Sequence, residues 1–98
     1  MKLQIDASGV AELIDSDDFK RFSIVEANPG ASRGCAAVVD VAEDNHYWLD
    51  AQAIVEISKR GEDSEWTEQF WNMLRMVEPY GFSDMAAGRI KAHVETPD

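Results

Sequence analysis

Apolar and polar residues alternate near both ends of the chain. In residues 2–7 every second position is apolar, and the same holds for residues 88–95. Successive side chains of a strand point to opposite faces, so this pattern predicts a half-buried strand in each segment.

The clearest helical pattern lies in residues 64–78. Ser64 is placed to cap the N-terminus of this helix, and Pro79 and Gly81 are placed to end it. Apolar residues recur there at the three- and four-residue spacing of one helix face, and we expect them to enter the core: Trp66, Phe70, Met73, Leu74 and Val77.

Two shorter helices are expected. Asp50 is a natural N-cap for residues 51–60, which end in two cations and Gly61. Ser8 is placed to cap a short helix with three apolar residues on one face: Val10, Leu13 and Ile14.

Residues 19–27 fit either a helix or a strand, and the pattern leaves both open. The Asn-Pro-Gly-Ala sequence at 28–31 is typical of a turn. We therefore expect a hairpin around residues 28–33 that leads into a well-buried strand at 35–42. A second turn at 43–45 precedes an aromatic strand at 46–49.

These elements predict an α+β fold with one domain over residues 1–98. The expected sheet is small and mostly antiparallel, with about four to five strands and two main helices packed on one face. A purely parallel sheet would need a crossover between each pair of strands, and 98 residues leave no room for that.

The charge balance bears on partners. Nineteen acidic residues against nine Lys and Arg give a net charge of −10. Such a surface repels phosphate backbones and anionic lipids, so we expect neither nucleic-acid nor membrane binding. The longest apolar runs are far shorter than a membrane span and the first residues do not resemble a signal peptide, so a cytoplasmic location is expected.

Metal and cofactor motifs are absent from the sequence. The one cysteine, Cys35, lies in an apolar run and is expected in the core. Neither His46 nor His93 belongs to a metal-ligand spacing, and no phosphate-binding glycine motif occurs. The sequence therefore predicts no metal and no cofactor.

His46 is a candidate general base. It follows a turn and could be oriented by Asp40 or Asp44 across that turn. A histidine at a strand end that makes only local hydrogen bonds is the simpler interpretation.

A cationic strand face is the best candidate ligand site. Arg89, Lys91 and His93 occupy alternate positions of the last strand, so they share one face. Their chemistry suits a carboxylate or a phosphate-bearing small molecule. A solvated sheet surface is the simpler interpretation.

The predicted helix over residues 64–78 carries large apolar residues outside its core-facing stripe, and these favour self-association. Trp71 borders the apolar stripe of the long helix, and Met76 lies on its outward side. We therefore expect an interaction module that forms a homodimer, with Trp71 and Met76 near the contact. The alternatives are an anion-binding domain or small enzyme that uses the cationic face or His46, and an acidic inhibitor of a basic protein.

Overall fold

The computed structural model describes residues 1–42 and 45–95. Within these ranges the chain forms seven strands, two α-helices and two short 3-10 helices. The strands and α-helices, in chain order, are β1 Lys2–Ile5, β2 Ala11–Ile14, β3 Ser23–Glu26, β4 Val38–Val41, β5 His46–Asp50, α1 Ala51–Ser58, α2 Ser64–Val77, β6 Ser83–Asp84 and β7 Arg89–Glu95.

The strands form one mixed sheet in the order β2-β1-β3-β7-β5-β4, and β6 also pairs with β7. β3 lies parallel to both β1 and β7, whereas the other pairs are antiparallel. The α+β class is confirmed. The expectation of a mostly antiparallel sheet with four to five strands is only partly right: four of the six strand pairs are antiparallel, but β3 pairs in parallel with β1 and β7, and the short strands β2 and β6 raise the number of described strands to seven.

Residues 10–14 are not helical, contrary to expectation. Asp6 holds a tight loop after β1, where one of its carboxylate oxygens accepts the backbone N–H groups of Ser8 at 2.9 Å and Val10 at 3.0 Å. These bonds turn the chain back on itself. β2 then pairs antiparallel with β1, and Leu13 lies opposite Leu3.

Within the ambiguous segment 19–27, Ser23–Glu26 form the strand β3. The turn predicted at 28–31 forms, because the N–H of Ala31 donates to the carbonyl of Asn28 at 3.0 Å and Gly30 adopts φ 86°. The expected hairpin is wrong, because a 3-10 helix, Ala31–Gly34, follows this turn and β3 pairs with β1 and β7 rather than with β4. β4 pairs with β5 and forms an edge of the sheet. It is therefore not the well-buried strand expected at 35–42: Val39 and Val41 are 43% and 60% exposed.

Both main helices form close to the predicted bounds, although their ends differ. α1 stops at Ser58 because Lys59 takes the left-handed conformation with φ 60°, two residues before Gly61. The N-cap of α2 is Asp63 rather than Ser64. The Asp63 carboxylate accepts the backbone N–H of Trp66 at 3.1 Å.

The helices cover one face of the sheet. Leu3, Ile24 and Ile90 alternate with outward residues along their strands and are at most 2% exposed. Cys35 is buried, as expected. The helices contribute to the same core cluster, with Ile54 and Val55 from α1 and four residues of the predicted stripe of α2: Trp66, Phe70, Met73 and Leu74. Val77, the fifth predicted residue of that stripe, is only half-buried and lies outside the cluster.

Arg60 links the loop after β2 to the start of α2 through two ion pairs. Its guanidinium pairs with the carboxylates of Asp17 and Asp63 and lies 5.5 Å from the ring centroid of Trp66. The indole N–H of Trp66 donates to the carbonyl of Ser16 at 2.7 Å. Because both pairs favour the charged guanidinium, the pKa of Arg60 lies above its ordinary value.

Candidate functional site

The face of the sheet opposite the helices is covered by no described element. Paired residues share a face: Leu3 and Ile24 are buried in the core, so the next pair, Gln4 and Val25, points away from it. We call this surface the open face. None of its residues is buried, and they are Lys2, Gln4, Glu12, Ile14, Ser23, Val25, Asp40, His46, Trp48, Arg89, Lys91, His93 and Glu95.

The candidate ligand residues Arg89, Lys91 and His93 all lie on the open face, but their surroundings differ. Arg89 is paired in register with Asp50 on β5 and with Asp84 on β6. A carboxylate residue therefore flanks Arg89 on each side. This placement favours local charge compensation at Arg89 over capture of an external anion.

Lys91 lies between aromatic rings. Its ammonium nitrogen, Nζ, is 5.8 Å from the ring centroid of Trp48 and 5.1 Å from that of Phe82. Both distances are within the range of cation–π attraction. The two rings therefore hold the charged end of Lys91 at the border of the open face.

His93 lies directly opposite His46 on the neighbouring strand. Their ring centroids are 5.3 Å apart, and the rings are tilted by 57°. Asp40 pairs with Trp48 instead, and its carboxylate accepts the N–H of Val41 at 2.9 Å. Asp44, the other carboxylate expected to orient His46, lies outside the described residues. The fold thus brings His46 to His93, a pairing that sequence spacing did not indicate.

A wide depression of about 560 Å³ adjoins His93. Its lining includes the cationic side chains of Lys2 and Arg21. The same lining contains three acidic side chains: Asp15, Asp18 and Glu95. The mixed charges give this depression no clear preference for an anion or a cation.

A second, smaller cleft of about 180 Å³ opens where two strands share one side of β7. β6 pairs with Arg89 and Ile90, whereas β3 pairs with residues 93–95. We call this gap the split-strand cleft. Phe22, which precedes β3, and Phe82, which precedes β6, both line it. Sequence reasoning missed the cleft because its two sides are 60 residues apart in the chain.

Trp71 and Met76, the expected interface residues, lie apart on α2. Trp71 is half-buried and meets Phe70 edge-on, with ring centroids 5.7 Å apart. Met76 is 74% exposed. Trp71 and Met76 are five residues apart. At about 100° per residue, their side chains point about 140° apart around the helix axis. They therefore do not form one continuous patch.

A buried polar pair lies at the far end of β3. Glu26 is 6% exposed, and its carboxylate accepts the backbone N–H of Ser32 at 2.8 Å. The bond satisfies an N–H in the first turn of the 3-10 helix. Glu26 shares the inward face of β3 with Ile24, and sequence reasoning missed it because the pattern of residues 19–27 did not separate a strand from a helix.

The described residues show neither a metal cluster nor a membrane-spanning element. In residues 1–42 and 45–95 no three His, Cys, Asp or Glu side chains are grouped so that they could hold a metal ion. Over the same ranges no helix is long and apolar enough to cross a bilayer. The fold does bring cations beside aromatic rings, as at Lys91, and such groups are suited to binding a ligand.

The comparisons with known proteins found no relative. No family model matches the chain. Neither the curated proteins nor the solved structures contain a match. Any conclusion about function therefore depends on the geometry of the open face and the split-strand cleft.

Proposed function

We propose that this chain is a small interaction module that self-associates through the open face. One observation carries the proposal: in the described part of the chain the helices cover one side of the sheet, and the other side has no cover. A sheet with one face packed and one face solvated is usually polar on the solvated side. Here that side holds Trp48, Val25 and Ile14, each only half-exposed.

The charges of the open face support a second copy as the partner. The chain is strongly acidic, yet this face carries Lys2, Arg89 and Lys91. The carboxylates of Glu12 and Glu95 lie on the same face. A surface with both signs can be complementary to itself across a two-fold axis, as an isologous contact requires.

The size of the face predicts a weak dimer. Six strand positions about 4.8 Å apart span about 24 Å, and strands of four to seven residues run about 13–23 Å. Such a footprint is at the low end of specific protein–protein interfaces. The net charge of −10 on each copy also opposes association. We expect a dissociation constant in the micromolar range. Added salt should lower this constant, because it screens the repulsion between the two copies.

A contact through the helical layer, with Trp71 and Met76 at its centre, is the competing arrangement. The half-buried position of Trp71 leaves less of its ring for a partner, and Met76 stands apart from it on the helix. The open face offers a broader continuous surface. We therefore favour the sheet for the contact.

Two matched lysine substitutions distinguish the arrangements. Val25→Lys places a charge at the centre of the open face, beside Gln4 and near Glu95, so the isolated monomer tolerates it. Met76→Lys places the same charge on the helical surface, where the side chain is already exposed. Sedimentation equilibrium then measures the mass of each protein over a range of concentrations.

The expected result is a concentration-dependent dimer for the unmodified chain and for Met76→Lys, and a monomer for Val25→Lys. A lysine ammonium that the contact removes from water costs more than a weak interface supplies. The reverse pattern, with Met76→Lys monomeric, would place the contact on the helices. A monomer in all three samples at every concentration would remove the proposal.

A further inference from the structure

The split-strand cleft combines an apolar floor with a cationic rim. Ile90 and Met73 are 2% and 7% exposed and lie at its base, while Phe22 and Phe82 form opposite walls. The peptide N–H of Lys91 donates to the carbonyl of Phe82 at 2.8 Å, which ties the Phe82 wall to β7. The cleft is thus built from elements that the sheet and α2 hold in place.

The charges around this cleft are the opposite of the charge of the chain. Lys20, Arg21 and Lys91 line it, and no carboxylate among the described residues does. The whole sequence contains about twice as many acidic as basic residues. A cleft lined by three cations in such a chain attracts anions that the rest of the surface repels.

We propose that the split-strand cleft binds a small carboxylic acid with an aromatic or branched apolar body. The apolar body replaces water against Met73, Ile90 and the two phenylalanine rings. The carboxylate meets the guanidinium of Arg21, whose planar fork suits a carboxylate, and the ammonium of Lys91. A volume of about 180 Å³ admits one ring with a short side chain.

Lys91 is partly organised for this role before any ligand arrives. Its ammonium lies 5.1 Å from the ring centroid of Phe82, which also lines the cleft, and this cation–π contact restricts its movement. A cation held in place loses less side-chain entropy when it binds an anion. One chain supplies the whole cleft, so the site is complete without self-association, and it shares only Lys91 with the open face.

Phenylacetate is a suitable probe, with phenylacetamide and acetate as matched controls. Phenylacetamide keeps the ring and lacks the charge, whereas acetate keeps the charge and lacks the ring. NMR titration at neutral pH and constant ionic strength follows the amides of residues 20–22, 82 and 90–91 and the methyl group of Met73. Phenylacetate should give saturable shifts at these positions with Kd below about 1 mM, and phenylacetamide should bind at least about tenfold more weakly. Acetate should give no saturable shift.

Removal of a single charge tests the role of the rim. Arg21→Gln should raise the Kd for phenylacetate about five- to tenfold, since it removes a charge-assisted contact. Arg33→Gln is the matched control, because Arg33 is an exposed cation in the 3-10 helix beyond the opposite end of β3. It should leave the Kd unchanged. Melting curves of both variants should match the unmodified protein.

Three results would each overturn the proposal. The first is no saturable shift with phenylacetate up to about 10 mM. The second is equal affinity for phenylacetate and phenylacetamide, which would show that charge is irrelevant. The third is an equal loss of affinity in Arg21→Gln and Arg33→Gln, which would show a general charge effect rather than a site.

Discussion

Gly9 packs directly against the backbone of Gly34. A Cβ atom at Gly9 would lie 2.8 Å from the carbonyl oxygen of Gly34, closer than such atoms approach, and Gly9 itself has φ +87°. The contact joins the loop between β1 and β2 to the end of the 3-10 helix. Two segments that start 25 residues apart are therefore in contact through their main chains.

Gly9→Ala should therefore destabilise the protein more than Gly30→Ala. Both glycines have a positive φ near 86°, so both substitutions carry the same conformational cost of about 1–2 kcal/mol. Gly30 has nothing within 4 Å of an added Cβ, whereas Gly9 would push against backbone. Urea denaturation measures the two free energies of unfolding. Equal losses would contradict the close approach of Gly9 and Gly34.

Phe70→Ala should lower the free energy of unfolding by about 3–5 kcal/mol. Phe70 is fully buried, and its ring stacks on Trp66 with centroids 5.3 Å apart. Met76→Ala is the matched control on the same helix and should change stability by less than about 0.5 kcal/mol, because Met76 is 74% exposed. A loss below about 1 kcal/mol in Phe70→Ala would mean that the apolar stripe of α2 is wrongly assigned.

Glu26→Ala should cost more stability than Glu26→Gln. The alanine variant leaves the buried N–H of Ser32 without its acceptor, at a cost of about 1–3 kcal/mol. Glutamine has the same shape and retains a carbonyl oxygen that can accept this bond. Thermal unfolding of both variants provides the comparison. If both variants melt at the same temperature, the acceptor at Glu26 is unimportant.

Acid should weaken the N-cap of α2. The pKa of Asp63 is lowered mainly because its carboxylate accepts the N–H of Trp66, with a smaller contribution from Arg60. The pKa of this carboxyl is lower in the folded than in the unfolded chain, where it is near 3.8. Its charge therefore stabilises the fold at pH values above 3.8, and this contribution is lost as pH falls through the folded pKa.

Asp63→Asn isolates this effect, because asparagine also caps helices but does not titrate in this range. Near neutral pH the unmodified protein should have a larger free energy of unfolding than Asp63→Asn. The difference between the two should shrink as pH falls from about 5 to about 2. Urea midpoints of the two proteins across this range give the difference. A difference that stays constant would mean that Asp63 does not stabilise the fold through its charge.

The sequence predicted the elements whose period extends over many residues. The five apolar positions of α2 agree on one face, so its bounds were wrong by only one residue at the C-terminal end. β2 has only four residues, and Leu13 and Ile14 fit a helical face as well as a strand. The three-bond loop at Asp6 decides between them, and apolar spacing does not reveal such a loop.

The sheet order and the cleft depend on contacts between distant segments. The parallel pairing of Leu3 with Ile24 is set by the shared core, and no local signal specifies it. Alternation in β7 did place Arg89, Lys91 and His93 on one face. It could not show that Phe82 would approach Lys91, because that approach follows from the short strand β6.

Intermolecular NOEs in a mixed sample test self-association through the open face most directly. One half of the sample carries isotope-labelled methyl groups and the other half is unlabelled, at a concentration where the dimer predominates. Self-association through the open face predicts NOEs from the unlabelled copy to the methyl groups of Val25 and Ile14 and none to Met76. NOEs to Met76 without any to Val25 or Ile14 would contradict it, and would place the contact on the helical layer.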